Sequence, residues 1–183
     1  MRPIHATSAV ALLTIILSGP WAGAADAKPG PVPDAPKGWS KKADETGKTL
    51  YRPDNLAAGE DMQVTIMPGE ASDADFRKWF DDKVKLLQAG KTSVRTTDPH
   101  ASQVQGASAL MQAIVCKNDD APAGDKANRF LFFTYLAAHP AARAEMIVMS
   151  VTSNDLLKKY GADYKTLASA WAEMRVADKT GSK

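Results

Sequence analysis

The chain is 183 residues long, 44% hydrophobic and 24% charged, with a formal net charge of +2. That length and balance fit one globular domain with room for a core, and near-neutrality without a long basic run argues against nucleic acid as a partner. The single cysteine, Cys116, excludes an intramolecular disulfide, so packing has to hold the fold.

Arg2 precedes an apolar run from Val10 to Leu17, and two small-residue processing sites follow, Ala22-Gly23-Ala24 and Ala25-Asp26-Ala27. This is the three-part layout of a secretory signal peptide, assigned to 1–27 with cleavage after Ala24 or Ala27. The run is shorter than the roughly 20 residues that span a bilayer, and no cysteine near the cleavage region offers a lipid acceptor. The mature form, without a transmembrane span, is expected in the periplasm or the medium; a retained membrane anchor is the competing reading.

Residues 28–38 carry Pro29, Pro31, Pro33 and Pro36 and are expected to form an extended, hydrogen-bond-poor leader. The globular domain is then expected over 39–177. Trp39 opens it as an apolar anchor. A short strand with Leu50 and Tyr51 stops at Pro53, and the β-branched "MQVTIM" at 62–67 forms the next, closed by a turn at 68–70.

The clearest helix covers 72–88, where Phe76, Trp79, Phe80, Val84 and Leu87 recur at spacings of three and four. Ser72 with Asp75 resembles a capping box, and Gly90 ends the helix. Asp81 and Asp82 fall on its polar side. Two or three strands are expected within 92–117, with Gly106 at a bend and Cys116 as a buried, slowly reacting thiol closing the apolar "ALMQAIVC".

Residues 118–128 read as a polar connection, followed by strands at 129–137 and 144–152 that complete an antiparallel meander. In "RFLFFTYL", Phe130, Phe132 and Thr134 alternate with Leu131, Phe133 and Tyr135, so both sides are apolar. That pattern suits a central core strand or the lining of a pocket. A terminal helix of roughly 155–175 carries Tyr160, Tyr164, Leu167, Trp171 and Met174 along one face, with caps from Ser153, Asn154 or Asp155 and a possible kink at Gly161. The tail from 177 is expected to fray. The fold class is therefore α+β: one antiparallel sheet of about five to seven strands flanked by amphipathic helices.

Gly-Lys-Thr occurs at 47–49 and again at 90–92, which raises the question of a phosphate-binding loop. Such a loop needs a glycine five residues before the second one, and those positions hold Lys42 and Lys85. A turn glycine and a helix-ending glycine are the better readings. His100 and His139 both sit in turn-like sequence, and with one cysteine they form no zinc pattern. Asp119, Asp120 and Asp125 lack the glycine and glutamate of a calcium loop, since those positions hold Ala123 and Arg129. Ser108 and Ser150 lie in apolar strands without a glycine-flanked elbow. No catalytic, cofactor-binding or metal-ligating residue is nominated, and the binding surface is unassigned.

The order of Trp39, a strand ending "YRPD", the strand "MQVTIMPG", a helix with "FRKWF", the strand "GASALMQAIV", two more strands and a closing helix resembles the PsbP-like fold. That family includes photosystem accessory subunits, a nuclear-import factor and small bacterial periplasmic proteins. The resemblance spans about 39–176, implies an α/β/α sandwich, and points to binding or assembly factors without shared catalytic residues. The functional expectation is a periplasmic or secreted non-enzymatic binding module, a monomer, for a protein partner or small ligand. The competing expectations are a hydrolase with a dispersed active site and an envelope-associated structural protein.

Overall fold

The structure, a computed structural model, describes residues 30–71, 75–89, 92–104, 107–117, 130–138 and 143–180, with the backbone alone for 71, 92–94, 102, 104, 107–108, 116–117, 130–138, 143 and 176–180. In chain order the elements are β1 (Trp39–Ala43), β2 (Thr49–Pro53), β3 (Met62–Ile66), β4 (Glu70–Ala71), α1 (Phe76–Gln88), β5 (Thr92–Thr96), β6 (His100–Val104), β7 (Ala107–Lys117), β8 (Phe130–Ala138), β9 (Arg143–Val151) and α2 (Asn154–Thr180). The fold is α+β, as the periodicities indicate. The main path of the sheet has seven strands in the order β1-β2-β3-β9-β8-β7-β5, while β4 adds to β9 and β6 adds to β7. All the pairings are antiparallel.

The two helices sit on opposite faces. Along β9 the odd positions Ile147, Met149 and Val151 pack with Leu156, Leu167 and Trp171 of α2. Its even positions Met146 and Val148 pack with Phe80, Val84 and Leu87 of α1. One strand therefore feeds two cores, because successive side chains leave a strand on opposite sides. That explains why "MIVM" at 146–149 is apolar without alternation. Phe80 and Trp171 are fully buried, and each large side chain removed from water contributes roughly 1.5–3 kcal/mol.

Local chemistry fixes the ends. Asp75 caps α1 by accepting from the Lys78 backbone N–H at 2.9 Å, so the helix begins at Phe76 and not at 72. Ser72 lies outside the described residues, as does Gly90, and the closing cap is Ala89. Ser153 caps α2 through its hydroxyl, which accepts from Leu156 N–H at 3.2 Å. This helix passes through Gly161 and runs to Thr180, beyond the expected end near 175 and into the tail expected to fray.

Two short strands were not expected. Glu70, placed in a turn from sequence, pairs with Ala144, and its carboxylate holds α1 by accepting from Lys83 Nζ at 2.6 Å and Trp79 Nε1 at 3.3 Å. Trp39 is an anchor as expected, 6% exposed, yet it also begins β1, which hairpins onto β2. The turn of that hairpin contains Gly47 and Lys48 of the first Gly-Lys-Thr, and Thr49 opens β2. Asp44 Oδ1 accepts from Thr46 N–H, Thr46 Oγ1 and Lys48 N–H, and Gly47 takes φ +81°, a left-handed conformation that glycine adopts without steric cost. The motif is a turn. In the second occurrence Gly90 and Lys91 lie outside the described residues.

The segment 30–36 also differs from expectation. It is not hydrogen-bond-poor: side chains of the domain donate to its carbonyls, and Val32 and Ala35 pack against the core. Prolines remove backbone donors but leave carbonyls, and here the acceptors are satisfied from outside the segment.

Candidate functional site

The sheet is covered diagonally. On the face that carries α2, the helix lies over β2, β3 and β9, and Ala109 at the start of β7 joins that core, while Met111 and Ala113 further along β7 are left exposed by the described residues. Exposure along β7 alternates. Leu110, Gln112 and Ile114 are buried, whereas Met111 is 40% exposed, Ala113 is exposed and Val115 is half-buried. Leu110 and Ile114 belong to the core under α1, so Met111, Ala113 and Val115 point the other way.

An antiparallel sheet with one solvated face usually turns polar residues to water. This one turns methionine, alanine and valine. Met111 is flanked in register by His100 on β6, and Val115 by Arg95 on β5, and both of these side chains are exposed. A polar and cationic rim thus borders an apolar patch. Apolar centres with polar rims are the usual composition of contact surfaces, and methionine adapts its shape to what it meets.

Behind this patch the edge of β7 is shared. β6 pairs with its first half and β5 with its second, and the corner between them is sealed by Thr97. Thr97 accepts from Ala113 N–H at 3.1 Å through its hydroxyl, and its carbonyl accepts from Gln112 Nε2 at 2.8 Å. Gln112 is buried on the α1 side, so the patch is backed by satisfied polar groups.

A second unusual cluster lies on the α2 face, where the C-terminal part of the helix meets β9. Arg175 and Glu145, each 4% exposed, form an ion pair, and Arg175 Nη1 also donates to the Pro31 carbonyl at 2.6 Å. The guanidinium lies 5.8 Å from the Trp171 ring centroid. Nearby, the Tyr51 hydroxyl donates to the Pro33 carbonyl at 2.7 Å. Burial pushes that hydroxyl up to about 12, with the Asp34 charge adding to the shift and Arg175 opposing it. Burial likewise raises Tyr164. Sequence reading missed this cluster, although a signal existed: Arg175 continues the α2 stripe four residues after Trp171, and Glu145 shares the parity of Ile147 and Met149 on β9.

The residues weighed from sequence are not brought together. His100 is exposed, at the start of β6 opposite Met111. His139, Gly106, Asp119, Asp120 and Asp125 lie outside the described residues, as do the 1–27 leader and the connection at 118–128. Cys116 is placed within β7, opposite Leu131 and Ser93, with its side chain outside the described set; the same holds for the side chains of Ser108 and the aromatic strand β8. Asp81 and Asp82 pair with Arg77 and Lys78 one turn earlier on α1, a solvated charged face. Ser150 is buried, and its hydroxyl has no partner among the described residues. No group of three potential metal ligands exists among the described residues.

By fold the chain is an α+β protein with one antiparallel sheet between two helices. It is similar to a solved Pseudomonas aeruginosa protein of unknown function, PA94, with 13% sequence identity and a TM-score of 0.50, over 75% of this chain and 85% of that one. At that identity the likeness concerns the fold alone. No protein-family pattern matches the sequence, and no curated protein matches it. No helix among the described residues is long and apolar enough to cross a membrane.

Proposed function

We propose that the chain is an exported, non-enzymatic binding module, acting in the periplasm or outside the cell, which takes an apolar surface of a partner protein on the uncovered β7 quarter of its sheet. One observation carries the reading: Met111, Ala113 and Val115 turn apolar groups to solvent where a free-standing sheet would turn polar ones. The PsbP-like resemblance, whose members are mostly described as binding or assembly factors, supports it. So does the signal-peptide layout at 1–27, which supports the location.

The test is site-directed photo-crosslinking in living cells, with the reactive residue placed at position 111 or, as control, at Lys42 on the opposite face. A discrete crosslinked partner is expected from position 111 and none from 42, and Ala113→Glu should remove it. Equal products from both positions, or none from 111, would discard the binding surface. The export half is checked separately by the mass of the native protein, which should begin after Ala24 or Ala27.

A further inference from the structure

The segment from Gly30 to Pro36 is seated on the domain in the manner of a bound peptide. Three side chains of the domain address its backbone, and one of them, Lys41, also lies 3.9 Å from the Asp34 carboxylate. Arg175 Nη1 donates to the Pro31 carbonyl at 2.6 Å, Tyr51 Oη to the Pro33 carbonyl at 2.7 Å, and Lys41 Nζ to the same carbonyl at 2.9 Å. Lys41 also reaches the Val32 carbonyl at 3.5 Å. Two of these donors are themselves buried, Tyr51 at 0% and Arg175 at 4% exposure. Arg175 is further held by Glu145, so its direction is set from within the domain.

Carbonyls in a row without ladder partners are what a polyproline-type segment offers, because its backbone makes no internal hydrogen bonds. A groove of fixed donors and apolar walls is the complementary shape, the usual way in which such segments are read. Here the apolar reading comes from Val32 and Ala35, which pack against the core cluster of Trp39, Tyr51 and Trp171, and from the buried Pro33. Gly30 adds a steric reading. A Cβ there would stand 3.2 Å from the carbon and Nη2 of the Arg175 guanidinium and 3.3 Å from Nη1, and the guanidinium is tied at both sides.

We infer that the cleft bordered by Lys41, Tyr51, Trp171 and Arg175 is a binding site for extended Gly-Pro-x-Pro peptide segments, filled in cis by residues 30–36. The cis segment acts as a built-in competitor: at a local concentration set by its attachment just before β1, it keeps free peptides of the same kind out. This site shares no residue with the β7 patch and stands or falls independently of it.

A cut made after folding tests the inference on the intact protein. A protease recognition sequence is inserted between Lys37 and Gly38, the full chain is folded and purified, and half of it is then cleaved. The probe is a fluorescein-labelled peptide of residues 28–36, followed by anisotropy. Cleaved protein should exchange its own segment for the labelled one and saturate, whereas uncut protein at the same concentration should give little signal. A Gly30→Ala change in the peptide should weaken binding at least tenfold. Tyr51→Phe in the chain, which removes one donor, should weaken it by about 3- to 10-fold. Three results would overturn the inference: equal binding to cut and uncut chain, a cleaved segment that excess labelled peptide fails to replace, or loss of near-ultraviolet circular dichroism when the segment leaves. The first places the probe elsewhere, and the others make the segment an integral part of the core.

Discussion

Among the described residues, two quarters of the sheet are left without a helix, and they differ in chemistry. The quarter on the α1 face over β1, β2 and β3 presents Ser40, Lys42, Arg52 and Gln63 around a half-buried Leu50, with Arg52 paired to Asp61 at 3.2 Å. The quarter on the α2 face over β7 presents Met111, Ala113 and Val115. Both have the same backbone, the same antiparallel pairing and the same lack of cover, so geometry alone does not set the difference. One surface is finished for water and the other is not. Exposure becomes informative only when compared with what an equivalent exposed surface of the same molecule carries.

The largest effects should come from the quarter that α2 does cover. Trp171→Ala is expected to cost about 3–5 kcal/mol, a large share of the roughly 5–15 kcal/mol by which domains are stable, and urea unfolding measures it. Lys165→Ala, exposed on the same helix, should change stability by about 0.5 kcal/mol or less. Arg175→Ala should match the Trp171 loss at about 3–5 kcal/mol because it strands the Glu145 charge, while the double change Arg175→Met with Glu145→Leu should recover most of it. If the double variant is as unstable as the single one, the ion pair contributes more than mutual neutralisation.

Next in size is an alkaline effect. Tyr51 keeps its proton to about pH 12 when folded, against an ordinary value of 10.0. Between these limits the unfolded chain has released the proton and the folded chain has not, so stability falls as pH rises from about 10 to 12. The share of Tyr51 is on the order of 2–3 kcal/mol. Tyr51→Phe should flatten that part of the decline in denaturant midpoints, leaving the contribution in the same direction from Tyr164, whose hydroxyl burial also raises.

Smaller still, Asp75→Ala should cost about 1 kcal/mol by removing the α1 cap. The smallest stability effect should come from the open quarters themselves. Met111→Glu and Lys42→Glu are each expected to stay within about 0.5 kcal/mol of the parent. Only the first should lower binding of a hydrophobic dye, which would sharpen the contrast between the two surfaces. An equal response from both would erase it.

The parts legible in the sequence were those where one period dominates. Phe80, Val84 and Leu87 announce α1, and Leu167 and Trp171 announce α2, because each helix buries a single stripe. β7 was legible as a strand but not as a half-covered one. Met, Ala and Val alternate there with Leu, Gln and Ile, so both sides look like core, and the diagonal placement of the helices is a tertiary fact without a local signature. The 30–36 segment was misread for a similar reason. Its prolines signal a lack of donors, and nothing nearby in sequence shows that Tyr51, 18 residues away, or Arg175, 144 residues away, supplies them.

The sharing of the β7 edge between two short strands also bears on aggregation. A sheet margin that is long, flat and regular invites another chain to add a strand. Here the margin opposite β8 is broken twice, by the register shift between Ser93 and Arg95 and by the Thr97 corner, and neither strand exceeds five residues. The far margin, β1, is equally short and carries Lys41 and Lys42. Both borders are thereby poor templates for intermolecular pairing, and an incoming polypeptide is steered toward the flat of the sheet.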